Sequence, residues 1–230
     1  SDFSSDLAHE LRTPLSNLLT QTQVTLSRSR SLPEYKDVLA SNVEEFERLS
    51  KMIADMLFLA KADNDLVMPS LERVDLRREA NGLLEFYEGV AEENGIHLSV
   101  SGQAEVAGDR LMLRRAIANL LSNAFRHTPR GGSIAVRLAV GEGGAASLAV
   151  ENTGDTIPPE HLPRLFDRFY RADPARQRLG EGAGLGLAIT RSILRTHGGA
   201  AEVRSEKGIT RFVLSLPGGE VGAGGRSGAP

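Results

Sequence analysis

Apolar residues near the start of the chain recur at helical spacing. They are separated by three or four positions and predict one apolar stripe on a helix of about residues 2–29. The stripe consists of Leu7, Leu11, Leu15 and Leu18. Ser31 and Glu34 then bracket Pro33 in a capping-box pattern, which is typical of a helix start. We expect the second helix to end near residue 62.

The two helices predict an antiparallel hairpin with a wide apolar face. The second helix contributes Leu39, Val43, Phe46, Leu49, Ile53, Met56, Leu57 and Ala60. The sequence offers no third helix nearby to cover this face. A second copy of the chain would cover it in a dimeric four-helix bundle, which we favour. The alternative is that the face packs against the part of the chain that follows.

The periodicity changes after a short polar segment, which we interpret as a linker at residues 65–70. Strands are predicted at residues 71–74, 96–100, 133–140, 145–151, 201–205 and 210–216. Helices are predicted over residues 76–94, 110–125 and 185–197. Helices on one face of a mostly antiparallel sheet make an α+β fold. We therefore expect domains at residues 1–64 and 71–217, with a disordered tail at 218–230.

Composition narrows the possible chemistry. A net charge of −3 without any basic block argues against nucleic-acid binding. The chain has no cysteine, so disulfides and thiolate metal sites are excluded, and its five histidines are not paired at ligand spacing. No apolar run is long enough to cross a bilayer, so we expect no membrane contact in this fragment.

His9 is the first candidate for catalysis. It lies off the leucine stripe beside Glu10, although a lone histidine on a helix is usually a solvated or packing residue. Pro14 changes this balance, because a proline inside a helix costs about 3 kcal/mol. A distortion so close to an exposed His-Glu pair suggests that His9 is a nucleophile.

Three further motifs predict a nucleotide site. Asn119 and Asn123 lie one helical turn apart and could contact Mg²⁺, although a polar outward face explains the same spacing. The glycine-rich residues 182–187 precede a helix, where backbone N–H groups can approach phosphate. Asn152 could bond a base that Gly154 lets approach. Neither a Rossmann nor a P-loop pattern fits.

Aromatic residues interrupt the polar loop between the last two motifs. They are Phe166, Phe169 and Tyr170. We expect them to anchor the loop to the core.

The order of these motifs resembles that of sensor histidine kinases of bacterial two-component systems. The phospho-acceptor motif of that family is similar to residues 9–14, and its asparagine motif to residues 119–129. Its two glycine motifs are similar to residues 151–158 and 182–187, and its phenylalanine motif to residues 166–171. The resemblance covers nearly all of the chain.

The resemblance implies ATP-dependent autophosphorylation of His9, followed by transfer to an aspartate of a separate response regulator. Glu10 would orient the ring and accept its proton, Thr13 would position water when the regulator is dephosphorylated, and Pro14 would mark a bend. The helical hairpin would form a homodimer. The second domain would be an α/β sandwich of the type shared with gyrase and Hsp90, with residues 166–184 as a mobile lid.

The same resemblance implies a set of ligands for ATP and Mg²⁺. Asn123 would hold the metal. The ATP-binding residues would be Asn119, Asn123, Arg126, His127, Asn152, Gly154, Tyr170, Arg171, Gly182, Ala183, Gly184, Leu185, Gly186 and Leu187.

The chain departs from the family pattern at three of these motif positions. Arg126 stands where the family usually has lysine, Asn152 where it has aspartate, and Thr156 where it has glycine. The amide oxygen of Asn152 can still accept a hydrogen bond from the adenine amino group, so specificity for the base survives. That hydrogen bond is no longer charge-assisted.

A finer resemblance links the chain to the copper- and silver-responsive sensor kinases. It rests on residues 19–22, 55–60 and 162–173. It implies the cytoplasmic portion of a bacterial inner-membrane receptor. Two other functions stay open: a regulatory module that mainly docks and dephosphorylates the regulator, and an ATPase of the gyrase or Hsp90 type.

Overall fold

A computed structural model describes residues 3–172 and 183–218, except the side chains of residues 3–7 and 9. Helices α1 (Phe3–Leu26) and α2 (Leu32–Asp63) form the predicted hairpin, and the Asn42 amide donates to the Thr22 hydroxyl between them at 3.2 Å. The capping box at Ser31 is present. Pro14 lies inside α1, which continues past it. Nearly all of the tail predicted at residues 218–230 lies outside the described residues.

The second domain contains a five-stranded sheet and a two-stranded one. The elements are β1 (Glu72–Asp75), α3 (Leu76–Leu84), α4 (Glu88–Asn94), β2 (His97–Ser101), β3 (Glu105–Gly108), α5 (Arg110–His127), β4 (Ser133–Val140), β5 (Ala146–Thr153), α6 (Gly186–Thr196), β6 (Ala200–Glu206) and β7 (Ile209–Leu216). The large sheet has the order β2-β4-β5-β7-β6, in which only β2 and β4 are parallel. The predicted α+β class is confirmed.

One local prediction was wrong, and one strand was missed. The helix predicted over residues 76–94 is broken into α3 and α4 by a 3₁₀ turn at Glu85–Tyr87. Strand β3 was not predicted. It pairs with β1 over four residues, so it depends on partners 30 to 36 positions earlier rather than on a local pattern.

The core lies between α5, α6 and one face of the large sheet. Apolar residues of β4, β5 and β7 alternate with exposed or half-buried ones, so each strand presents one face to the helices. The buried helix positions include Leu113, Ile117, Leu120, Leu121, Ile189, Ile193 and Leu194.

The apolar face of the hairpin is divided between two environments. Met52, Met56 and Leu59 of α2 are buried in the same cluster as the core of the second domain. Other positions stay exposed, namely Leu15, Leu19, Leu39, Val43, Phe46, Ile53 and Leu57. Packing against the following domain therefore accounts for part of the face, and the rest is free to meet a second copy.

The end of α2 is fixed to α6 by polar contacts. Arg195 donates from Nη2 to the Ala62 carbonyl oxygen at 2.8 Å. Asp63 forms an ion pair with Arg168 and lies 3.9 Å from the Arg195 guanidinium. These contacts hold the two domains together directly before the polar segment at residues 65–70.

Candidate functional site

Asn119 joins α5 to the start of α6. Its Nδ2 donates to the Gly186 carbonyl oxygen at 2.9 Å and lies 3.4 Å from the Thr190 hydroxyl, which is fully buried. Asn123 follows one turn later and is half-buried. The amide of Asn119 thus fixes the helix that carries Asn123. The sequence reasoning missed Thr190, because a threonine within an apolar helix gives no signal of its own.

The N-terminus of α6 is open to an anion. Among residues 3–172 and 183–218, no side chain caps the helix at Leu185, and the N–H groups of its first turn have no partner within the helix. The unsatisfied donors and the helix dipole favour negative charge there. This arrangement fits a phosphate group on a helix of 11 residues.

Gly184 connects this helix start to the phenylalanine motif. It adopts a positive φ of 71°, and a Cβ there would lie 3.0 Å from the backbone of Phe169. The Phe169 N–H donates to the Gly184 carbonyl at 3.1 Å. Only glycine meets both conditions without strain. Ala183 and Leu187 are half-buried and Leu185 is buried beside it, whereas Gly182 lies outside the described residues.

The end of β5 meets the end of α5. Asn152 is buried, and its Nδ2 donates to the Thr153 carbonyl at 3.1 Å. A Cβ at Gly154 would lie 2.5 Å from the His127 carbonyl oxygen. The sequence predicts that this glycine makes room for a base. The close approach of the His127 carbonyl oxygen is a second reason for glycine at this position. Arg126 and His127 are both exposed at this helix end.

Thr156 has a contact that glycine could not make. Its Oγ1 accepts the Gly208 N–H at 2.8 Å, and the Gly154 N–H donates to the Gly208 carbonyl at 2.9 Å. The loop after β5 is therefore tied to the turn between β6 and β7. This departure from the family pattern has a structural role.

Aromatic residues anchor the loop as predicted. Phe166 is buried and packs edge-on against Phe212, with 6.2 Å between ring centroids. The Tyr170 hydroxyl lies 2.6 Å from Nδ1 of His161. The Arg164 guanidinium lies 4.3 Å from the centroid of the Tyr170 ring. Arg171 is half-buried next to it. The sequence does not identify His161 as a residue of this loop anchor, because its contact with a tyrosine nine positions away follows no local pattern.

The His-Glu motif lies on the other domain. His9 belongs to α1, where Glu10 is half-buried and Thr13 is exposed. Leu11 packs against the large core cluster, to which Met52, Met56 and Leu59 of α2 also belong. The structure thus brings the asparagine and glycine motifs together, and it places the motif of His9 on a separate element.

The donor set of the site suits Mg²⁺ better than a transition metal. Across residues 3–172 and 183–218 there is no cluster of three or more His, Cys, Asp or Glu side chains that could hold a metal. The half-buried Asn123 offers an amide oxygen, a hard ligand that fits a cation which keeps most of its waters.

Within the described residues 3–172 and 183–218, no helix combines the length and apolar character needed to span a bilayer.

Comparison with known proteins assigns both domains. Residues 1–65 match the His Kinase A (phospho-acceptor) domain, and residues 108–220 match the histidine kinase-, DNA gyrase B- and HSP90-like ATPase family. The chain is 53% identical to the sensor histidine kinase CusS of Escherichia coli K12, over 94% of this chain and 45% of that protein. It is 49% identical to the probable sensor kinase SilS of Salmonella typhimurium, over 94% of this chain and 44% of that protein.

A solved structure shows the same fold. The histidine kinase ThkA in complex with the response regulator protein TrrA superposes with a TM-score of 0.75 at 19% identity, over 95% of this chain and 62% of that one. The chain spans less than half the length of the curated relatives named above. From its two matched domains and these relatives, the chain belongs to the sensor histidine kinases.

Proposed function

We propose that this chain is the catalytic part of an ATP-dependent protein-histidine kinase that phosphorylates itself on His9. The observation that carries this proposal is the N-terminus of α6, which no side chain of the described residues caps and which Asn119 ties to the helix of Asn123. An anion site near an amide oxygen that can bind Mg²⁺ suits a nucleoside triphosphate with its metal ion. The phospho-acceptor domain match over residues 1–65 supports His9 as the acceptor.

In the proposed reaction, an imidazole nitrogen of His9 attacks the γ-phosphorus of ATP. A nitrogen–phosphorus bond forms, the bond to the oxygen bridging the β- and γ-phosphorus breaks, and ADP leaves. Glu10 accepts the ring proton, so the imidazole returns to neutrality. Mg²⁺ on Asn123 would neutralise phosphate charge, and the first-turn N–H groups of α6 would hold the phosphate tail.

The phosphoryl group then passes to an aspartate of a response regulator. The ThkA complex supports a partner of this kind, since its fold is shared with this chain. Thr13 is exposed on α1, one turn beyond His9, where its hydroxyl could align water for the reverse task of regulator dephosphorylation. A Thr13→Ala variant that transfers phosphate normally but no longer speeds its loss from the regulator would support this second activity.

The exposed part of the hairpin supports a homodimer. Leu39, Val43 and Phe46 are each more than half exposed on α2, together with Leu15 and Leu19 on α1. Several large exposed apolar side chains on one helical hairpin are a mark of an interaction site. Sedimentation should show a dimer for the wild-type chain and a monomer for Phe46→Glu.

The proposal requires the second domain to move. His9 lies on α1, and the nucleotide site lies between α5 and α6, beyond the segment at residues 65–70. We propose the domain boundaries of residues 1–64 and 71–217, with that segment as the hinge. The contacts of Asp63 with Arg168 and Arg195 would have to break during the movement.

The parent protein is proposed to be a heavy-metal sensor of the bacterial inner membrane. This proposal rests on the resemblance of residues 19–22 and 55–60 to copper- and silver-responsive kinases. This chain would then be its cytoplasmic portion.

Incubation with radiolabelled ATP and Mg²⁺ tests the kinase proposal. Label should appear on the wild-type chain and be absent from His9→Gln. Steady ATP turnover without any labelled protein would instead favour the gyrase-type ATPase.

A further inference from the structure

His197 lies at the C-terminal end of α6, and both of its ring nitrogens contact backbone groups. Nδ1 is 2.7 Å from the Ile193 carbonyl oxygen, and Nε2 is 2.9 Å from the Asp109 backbone nitrogen. A carbonyl can only accept, so Nδ1 carries the proton and Nε2 accepts the Asp109 N–H. The residue is only 9% exposed, so water offers little replacement for either bond. This pair of bonds requires the neutral imidazole.

The surroundings of the ring are closely fitted to it. A Cβ at Gly108 would lie 3.1 Å from Cδ2 of His197 and 2.6 Å from Cδ1 of Leu113, so a glycine lets the ring reach Asp109. The Asp109 carboxylate accepts the Met112 N–H at 3.0 Å and the Ser70 N–H at 3.1 Å. The end of the linker, the start of α5 and the end of α6 therefore meet at one joint.

A second polar contact between α5 and α6 lies at the opposite end of α6, where the Asn119 amide donates to the Gly186 carbonyl. Two contacts at opposite ends of a helix fix both its angle and its shift along its neighbour. The N-terminus of α6 forms the candidate nucleotide site together with Asn119 and Asn123. The position of that N-terminus relative to the two asparagines therefore depends on these contacts.

We propose that His197 is a positioning residue for the nucleotide site, where its neutral imidazole holds the start of α5 against the end of α6. The inference rests on the proposed nucleotide-binding function. Loss of the imidazole acceptor leaves the Asp109 N–H without its partner and loosens the start of α5 from the end of α6.

The Asp109 carboxylate lies at the same joint as the ring. Burial would raise the pKa of Asp109, but the N–H groups of Met112, Ser70 and Leu111 outweigh it and lower the pKa. The carboxylate is therefore ionised near neutral pH and caps the start of α5. Gly108 of β3 and the Ile193 carbonyl of α6, which also lie against the ring, carry no charge.

The test measures binding of a non-hydrolysable ATP analogue with Mg²⁺ by calorimetry at a single pH. Glutamine at position 197 can place an amide oxygen near the position of Nε2 and accept the Asp109 N–H, whereas the shorter asparagine cannot reach it. His197→Gln should bind like the wild type, and His197→Asn and His197→Ala should each bind about fivefold more weakly, as expected for one lost hydrogen bond.

Equal affinity of His197→Gln and His197→Asn would overturn the proposal, as would wild-type binding by His197→Ala. The comparison of His197→Gln with His197→Asn decides the question even if His197→Ala fails to fold. Normal binding without label on His9 would contradict only the proposed kinase function, and no binding by any variant would contradict both.

Discussion

Asp55 of α2 and Arg115 of α5 form an ion pair across the boundary between the two domains. The Arg115 guanidinium also lies 4.8 Å from the ring centroid of Phe58, one turn further along α2. Asp55 is largely shielded from solvent, with 16% of its side chain exposed. This contact binds the helix of the asparagine motif to the hairpin that carries His9.

Breaking this pair should release the second domain. Asp55→Arg places two like charges together and should favour the undocked arrangement by about 1 kcal/mol, equivalent to about a fivefold faster labelling of His9. The exchanged double variant, Asp55→Arg with Arg115→Asp, should return the labelling rate toward that of the wild type. Equal rates in all three chains would show that docking does not limit the reaction.

The two asparagines of α5 should differ in their effects. Asn119→Ala removes the bond to the Gly186 carbonyl, so it should lower both the unfolding free energy, by about 1 kcal/mol, and nucleotide affinity. Asn123→Ala should change stability by less than about 0.5 kcal/mol. Its loss of affinity should depend on Mg²⁺. Urea unfolding and nucleotide titration with and without Mg²⁺ separate the two roles.

Gly154 should tolerate no side chain. A Cβ there would lie 2.5 Å from the His127 carbonyl, so Gly154→Ala should cost about 1–3 kcal/mol of stability and weaken nucleotide binding. Gly89 is the matched control, because it lies in α4 with no atom within 4 Å of the added Cβ. Gly89→Ala should be neutral or stabilise by about 0.5–1 kcal/mol. Similar melting temperatures for the two variants would contradict this explanation of Gly154.

Several parts of the architecture could be predicted because their causes are local. The hairpin follows from leucine spacing and the capping box at Ser31, and the start of α6 follows from its glycines. The break at Glu85–Tyr87 and the pairing of β3 were missed because they depend on packing and on a distant strand. His197 and Asp109 lie 88 residues apart, so no sequence pattern could reveal their contact.

The Asp109 carboxylate should make stability depend on pH in the acid range. Its pKa is lowered in the folded chain by the N–H groups that outweigh burial, so its stabilising contribution is complete above the ordinary pKa of an aspartate, about 3.9. That contribution is lost as pH falls through the folded pKa. Asp109→Asn keeps a capping oxygen without the charge. The stability advantage of the wild type over Asp109→Asn should therefore be largest at neutral pH and vanish in strong acid, and an advantage that stays constant would contradict this.

The proposed function depends on transfer of the γ-phosphoryl group of ATP to His9. The most direct measurement is to label the wild-type chain with radioactive ATP and Mg²⁺, locate the label by peptide mapping, and test the bond in acid and base. His9→Gln is the test variant, and His97→Gln is the control because His97 is an exposed residue of β2. We expect an acid-labile, base-stable label on the peptide of His9, retained in His97→Gln and absent in His9→Gln. Label that persists in His9→Gln, or that maps to another peptide, would contradict the proposed function.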